Sequence, residues 1–320
     1  GIPFETVLRG LEDGLYHARR LWGIEGRLIL CFLRHLSEED AFAPLAEAEP
    51  FLERIHGFGL DSSERGHPPA KFARVFARCR ALGKPIVAHA GEEGPPAYIS
   101  EALDLLGARR IDHGVRAVED AAVVDRLIRD AIPLTVCPLS NLRLCVFPSM
   151  QDHTLGRLVA AGACVTLNSD DPAYFGGYLN DNIRAVHAAF AFDIPTWYQL
   201  ARNSFQASFA SPTEKQQWID RLDAARAVLF YVLDALGERG NLAPYFSHTG
   251  FTASWNGFLS ANVMISMPAA LILAIASSSA LYQSLRCSCW ASLPTLATRA
   301  WSSFESAFQV FFENTRISGM

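Results

Sequence analysis

The chain has 320 residues, half of them hydrophobic, which suffices for one barrel-sized domain or two smaller ones. A net charge of −5, with no basic run and no basic–aromatic stripe, excludes a nucleic-acid-binding surface. Seven cysteines, an odd number without regular spacing, read as reduced intracellular thiols, and Cys287-Ser288-Cys289 lacks the second pair that a structural zinc site needs.

The sequence opens on Gly1-Ile2-Pro3-Phe4, with no initiator Met and no signal peptide, and reads as the interior of a protein whose N-terminus is missing. Apolar runs then alternate with amphipathic stretches. Strands are predicted over Leu28–Leu33, Arg54–Leu60, Pro85–Ala88, Arg110–Asp112, Pro133–Cys137 and Cys164–Asn168. Helices are predicted over Ala70–Leu82, stopping at Gly83, and Tyr98–Leu106, stopping at Gly107. Two more span Val118–Asp130, before Ile132-Pro133, and Thr154–Ala161, stopping at Gly162. Strands that recur every about 25–30 residues suit repeated βα units around a parallel sheet. The runs read as apolar on both faces, as buried parallel strands do. A closed (β/α)8 TIM-type barrel needs eight strands, so two are expected upstream of Gly1.

From about Asn241 the character changes, with no Asp, Glu, Lys or Arg as far as Leu285. The expected division is therefore a barrel over 1–240 and an uncharged apolar, Ser-rich tail over 241–320. Val263–Tyr282 is long enough to span a membrane, but Pro268, Ser277-Ser278-Ser279 and the missing basic flank weigh against it. An unfolded or spurious segment and a packed extension are the other readings of the tail.

Four short segments carry the chemistry. His89-Ala90-Gly91-Glu92, Arg110-Ile111-Asp112-His113-Gly114, Cys137-Pro138-Leu139-Ser140-Asn141 and Asn168-Ser169-Asp170-Asp171-Pro172 each follow an apolar run. The loops after barrel strands line one open mouth, where such folds place their sites. His89 can ligate zinc as a neutral imidazole, and Glu92, three residues on, can move the proton of an activated water. His113 can orient that water. Of the neighbouring Asp170 and Asp171, one can bind metal and the other substrate. Taken singly, these would be a surface loop, a core histidine and an Asx turn before Pro172; the order and spacing of the set give it its meaning. His17, His35, His153, His187 and His248 have no strand-end partner and read as structural or surface residues, as do His56 and His67 beside Gly59–Glu64.

The segments at 89–92, 110–116, 137–141 and 169–178 resemble the adenosine, adenine and AMP deaminase family of the amidohydrolase superfamily, from about Gly1 to Asp223. The resemblance implies His89 and Asp170 as zinc ligands and Glu92 as proton donor to the purine ring. It implies His113 as the residue that polarises the attacking hydroxide, and Asp171 as hydrogen-bonding partner of a purine nitrogen. Asp112, Leu60–Glu64 with Gly66–Pro69, and Ala173–Tyr178 resemble the adenine branch, and Asp112 is expected to occupy the space that a ribose would take. The expected reaction is zinc-dependent conversion of adenine and water to hypoxanthine and ammonia, in cytoplasmic purine salvage, with a nuclear location also open. The partner is a small purine, with no nucleic acid. One zinc per chain is expected, with two further histidine ligands from the missing N-terminus, because the family's His-x-His strand has no counterpart here. An adenosine deaminase and a non-catalytic truncated fragment or pseudoenzyme are the alternatives.

Overall fold

The computed structural model describes residues 2–235; the tail from 241, the apolar stretch 263–282, His248 and the Cys287/Cys289 pair lie outside the described residues. Six strands form one all-parallel sheet in sequential order: β1 (Ile29–Leu33), β2 (Gly57–Asp61), β3 (Ile86–Ala90), β4 (Arg110–His113), β5 (Leu134–Val136) and β6 (Val165–Leu167). Among the described residues β1 and β6 are the two ends of the sheet, so the barrel is incomplete there.

Helices α1 (Phe4–Trp22), α2 (Glu38–Ala48), α3 (Ala73–Ala81), α4 (Pro96–Glu101), α5 (Ala121–Arg129), α6 (Pro138–Arg143) and α7 (Leu155–Ala160) come before β6. After it come α8 (Pro172–Phe175), α9 (Leu179–Phe190), α10 (Ile194–Ala207) and α11 (Pro212–Ala235). One compact unit runs through Phe209, and α11 belongs to a second. The glycine stops lie where the sequence places them: Gly83, Gly107 and Gly162 have φ of +74°, +74° and +84°. The expected helices are shorter than predicted. Pro69–Phe72 and Val115–Glu119 are 3₁₀ turns, and Ala102–Leu106 is a π turn. Asp120 caps α5 by accepting from Ala122 N at 2.9 Å, which fixes the helix start past the expected Val118. Helices α1, α2, α6 and α8–α11 fall outside the sequence expectations. Of these, α2 carries its own signal, a capping box between Ser37 and Asp40.

Register corrects the expectation that both strand faces are apolar. One row across the sheet is Leu60, Ala88, Ile111, Leu134 and Val165, all fully buried in the hydrophobic core. The row one residue on contains His89, Asp112, Thr135 and Thr166. Registered partners in a parallel sheet share a face and neighbours along a strand do not. One face is therefore the core, and the other presents a polar row that ends at the strands' C-terminal edge.

Candidate active site

Strand alternation would send His113 to the core side with Ile111. Its backbone instead turns left-handed at φ +65°, and its ring lies 4.8 Å from that of His89. Asp170, just past β6, has φ +58°. A left-handed backbone costs a non-glycine residue about 1–3 kcal/mol and gathers at functional sites. Ser62, directly after β2, shares this backbone at φ +76°; His113 and Asp170 are the two such residues that the sequence singles out for chemistry.

The geometry is a carboxylate–imidazole–carboxylate line. His113 Nδ1 is 3.2 Å from Glu92 Oε1, and His113 Nε2 is 3.7 Å from Asp170 Oδ2. Ser140 donates to Asp170 Oδ2 at 2.8 Å, and Asn141 Nδ2 donates to Glu92 Oε1 at 2.6 Å. Burial raises the Glu92 carboxyl above its ordinary range; His113 opposes the shift, and Asp170 and Glu64 reinforce it. A carboxyl so placed tends to keep a proton it can give away.

His89 Nδ1 faces the Leu60 carbonyl at 3.2 Å. A carbonyl only accepts, so Nδ1 carries a proton there, the outer contact that metal-ligating histidines make through the nitrogen that does not bind metal. His113, Cys137 and Asp170 offer donor atoms within 4.8 Å of one another. Imidazole nitrogen, thiolate sulfur and carboxylate oxygen are the donors zinc takes, so the residues here fit that ion. Of the expected ligands this cluster contains Asp170 but not His89, and it contains His113, expected to orient the water. The sequence reading passes over Cys137 as a donor.

Asp112 lies in the row of His89. Its Oδ1 accepts from Thr135 Oγ1 at 2.6 Å and is 3.5 Å from Arg110 Nε. Asp171 precedes α8 at the rim, and its carbonyl accepts from Tyr174 and Phe175 N–H. Its side chain makes no cap bond, so the Asx-turn reading lacks its defining contact.

Three further residues serve the site without an individual signal in the sequence. Glu64, 1% exposed, accepts from Gly91 N and Gly94 N at Oε2 and from Glu92 N at Oε1, each at 2.9 Å. It thereby ties the loop after β3, in which Gly91 has φ +72°. Arg34, fully buried, donates to the carbonyls of His89 at 2.6 Å and His67 at 2.8 Å. His153, read as structural or surface, is buried with Nε2 3.1 Å from Asn141 Oδ1. Nothing near His153 in the chain announces this, because its partner is reached only across the fold. His56 keeps the bland reading: its Nδ1 accepts from Leu28 N just ahead of β1.

A parallel sheet that delivers histidine and carboxylate side chains to the C-terminal edge of its strands, beside a zinc-compatible donor set, defines a barrel of the amidohydrolase type. The family model described as adenosine deaminase matches residues 1–225, and the chain belongs to that family. An adenine deaminase of Geotalea uraniireducens is 60% identical over 224 residues, 70% of this chain and 63% of that protein. One from Cupriavidus taiwanensis is 55% identical over 223 residues, 70% of this chain and 64% of the relative. The chain thus spans less than two thirds of the length of these curated relatives. Among solved structures, the adenine deaminase of Arthrobacter aurescens has a TM-score of 0.67 and 44% identity, covering 69% of this chain and 67% of its own. An amidohydrolase of Burkholderia ambifaria with bound Zn has a TM-score of 0.68 and 25% identity, covering 73% and 66%.

Proposed function

We propose that this chain carries the site of a zinc-dependent adenine deaminase, which converts adenine and water to hypoxanthine and ammonia in purine salvage. The observation that carries the reading is Glu92: a buried carboxyl with a raised pKa, 3.2 Å from His113, whose other ring nitrogen faces Asp170. The relatives named adenine deaminase, 55–60% identical, support the substrate class.

In this reading His89 and Asp170 hold zinc, and further ligands complete the three or more that a catalytic zinc usually has. When bound, zinc lowers the pKa of water towards about 7 and makes hydroxide available at neutral pH. His113 orients the attacking oxygen by hydrogen bond. Glu92 takes a proton from water and delivers it to the purine ring nitrogen; the remaining hydroxyl proton passes to the amino group, which leaves as ammonia as the carbonyl forms. Asp171 binds a purine nitrogen. Asp112, buried beside Thr135 and Arg110, closes the space next to the base; a site with a polar group there rejects the wrong substrate strongly. The same proposal puts the deaminase domain at 1–240, the tail at 241–320 and the protein in the cytoplasm. Among the described residues no helix is long and apolar enough to cross a membrane.

The test is product analysis after incubating the zinc-loaded chain with adenine and with adenosine separately. Hypoxanthine from adenine, with little inosine from adenosine, is expected. Faster inosine formation would move the reading to an adenosine deaminase, and no product from either would overturn it for this chain.

A further inference from the structure

Glu92 stands at the end of a chain of hydrogen bonds whose direction is set by one backbone group. Leu155 N donates to His153 Nδ1 at 3.0 Å. A backbone N–H can only donate, so Nδ1 is bare and the proton of the neutral ring sits on Nε2. His153 Nε2 then donates to Asn141 Oδ1 at 3.1 Å, which assigns the amide: its oxygen faces His153 and its NH2 faces the site. Asn141 Nδ2 donates to Glu92 Oε1 at 2.6 Å and lies 3.2 Å from His113 Nδ1. His153, Asn141 and Glu92 are 3%, 0% and 6% exposed, so water does not compete for these groups. Burial, with a smaller contribution from His113, pushes the His153 imidazole down to about 4, which keeps the ring neutral at physiological pH. At the far end Glu92 Oε1 accepts from Asn141, and His113 Nδ1 lies 3.2 Å from the same oxygen.

We propose that His153 is a positioning residue: by fixing the orientation of the Asn141 amide it keeps a donor on Glu92 Oε1 and confines the exchangeable proton to Oε2. The inference rests on the deaminase reading for its consequence, since Oε2 is then the oxygen that takes the proton from water and passes it to the ring nitrogen. The opposite amide orientation would turn a carbonyl oxygen toward Glu92, and the proton would be drawn to Oε1 to bridge the two oxygens.

Two substitutions separate this role from simple packing. In His153→Asn the new Oδ1 falls near the position of Nδ1 and can still accept from Leu155, but nothing reaches Asn141. In His153→Gln the new Nε2 falls near the imidazole Nε2 and can still donate to Asn141, while the Leu155 bond is lost. In the zinc-loaded full chain, His153→Asn should lower kcat by about 10–100-fold, the usual cost of removing an outer-shell partner, with KM little changed. His153→Gln should recover most of that loss. A purely structural histidine gives no such recovery, and equal impairment in both variants, or full kcat in His153→Asn, overturns the proposal.

A second readout needs neither zinc nor substrate. Imidazole 15N and glutamate carboxyl 13C spectra of the labelled full chain should show His153 as the Nε2–H tautomer. They should also show a Glu92 carboxyl resonance that moves in His153→Asn and returns in His153→Gln. An Nδ1–H tautomer, observed in the wild-type chain alone if the variants do not fold, overturns the proposal, and so does an unmoved Glu92 resonance in folded variants. The expected spectra from a chain that does not deaminate would sink the deaminase reading and leave the donor chain standing.

Discussion

Glu64→Gln probes how the loop bearing Glu92 is held. The substitution preserves shape and removes a charge from a side chain that is 1% exposed. The carboxylate accepts three backbone N–H groups, two at Oε2 and one at Oε1, each at 2.9 Å. Bonds to a charged acceptor contribute about 1.5–3 kcal/mol each, against about 1 for a neutral pair. A glutamine can place its oxygen on the two-bond side, keeping both bonds at roughly neutral strength. Its NH2 then opposes the N–H of Glu92, so the third bond is lost and a buried donor is left facing a donor. Arg34, buried and drawing electrostatic support from Glu64, loses its neighbouring negative charge as well. Against these losses stands the lower cost of burying a neutral amide. The net destabilisation should be about 2–4 kcal/mol. Urea denaturation followed by circular dichroism reads it as a shift of midpoint at unchanged slope. A change below about 0.5 kcal/mol, the scale of an ordinary surface substitution, would refute the reasoning.

Gly94→Ala attacks the same tie from the backbone: a Cβ there would overlap Glu64 Oε2 and the Tyr98 ring, so stability should fall by about 1–3 kcal/mol in the same denaturation assay. His153 should make stability depend on acidity. Its folded pKa of about 4 lies below the ordinary 6.5, a gap of 6.5 − 4 = 2.5. As pH falls below 6.5 the unfolded chain takes up a proton that the folded chain refuses until about 4, so this stability is complete above 6.5 and lost towards 4. The loss should reach about 3 kcal/mol, and His153→Gln should flatten that part of the stability–pH curve. Asp112→Gly should move substrate preference from adenine towards adenosine, read as the ratio of kcat/KM for the two; an unchanged ratio removes Asp112 from specificity.

The strand at 86–90 is legible in the sequence because the apolar run Ile86-Val87-Ala88 precedes His89, and Gly107 marks the helix end ahead of the strand at 110–113, whose own residues Arg110, Asp112 and His113 are polar. The histidines and carboxylates at those strand ends are legible for the same reason, and the family resemblance gives them roles. Register is not. Whether His89 faces the core or the mouth depends on its pairing with Asp112, which no local pattern encodes. The left-handed backbone that turns His113 out of the core is likewise invisible, because histidine carries no preference strong enough to announce it. Glu64 and His153 act on groups 27 to 30 and 12 residues away, so only the folded arrangement shows that one holds the Glu92 loop and the other orients Asn141.

The deaminase reading is tested most directly by the rate of hypoxanthine formation from adenine in zinc-loaded wild-type and Glu92→Gln chains. Glutamine keeps the shape and an acceptor for Asn141 but cannot take up and return the proton. The wild-type chain should turn adenine over, and the variant should bind as much zinc yet form no measurable hypoxanthine. Comparable rates from the two proteins at equal zinc content would contradict the assignment of Glu92, and with it the account of this site.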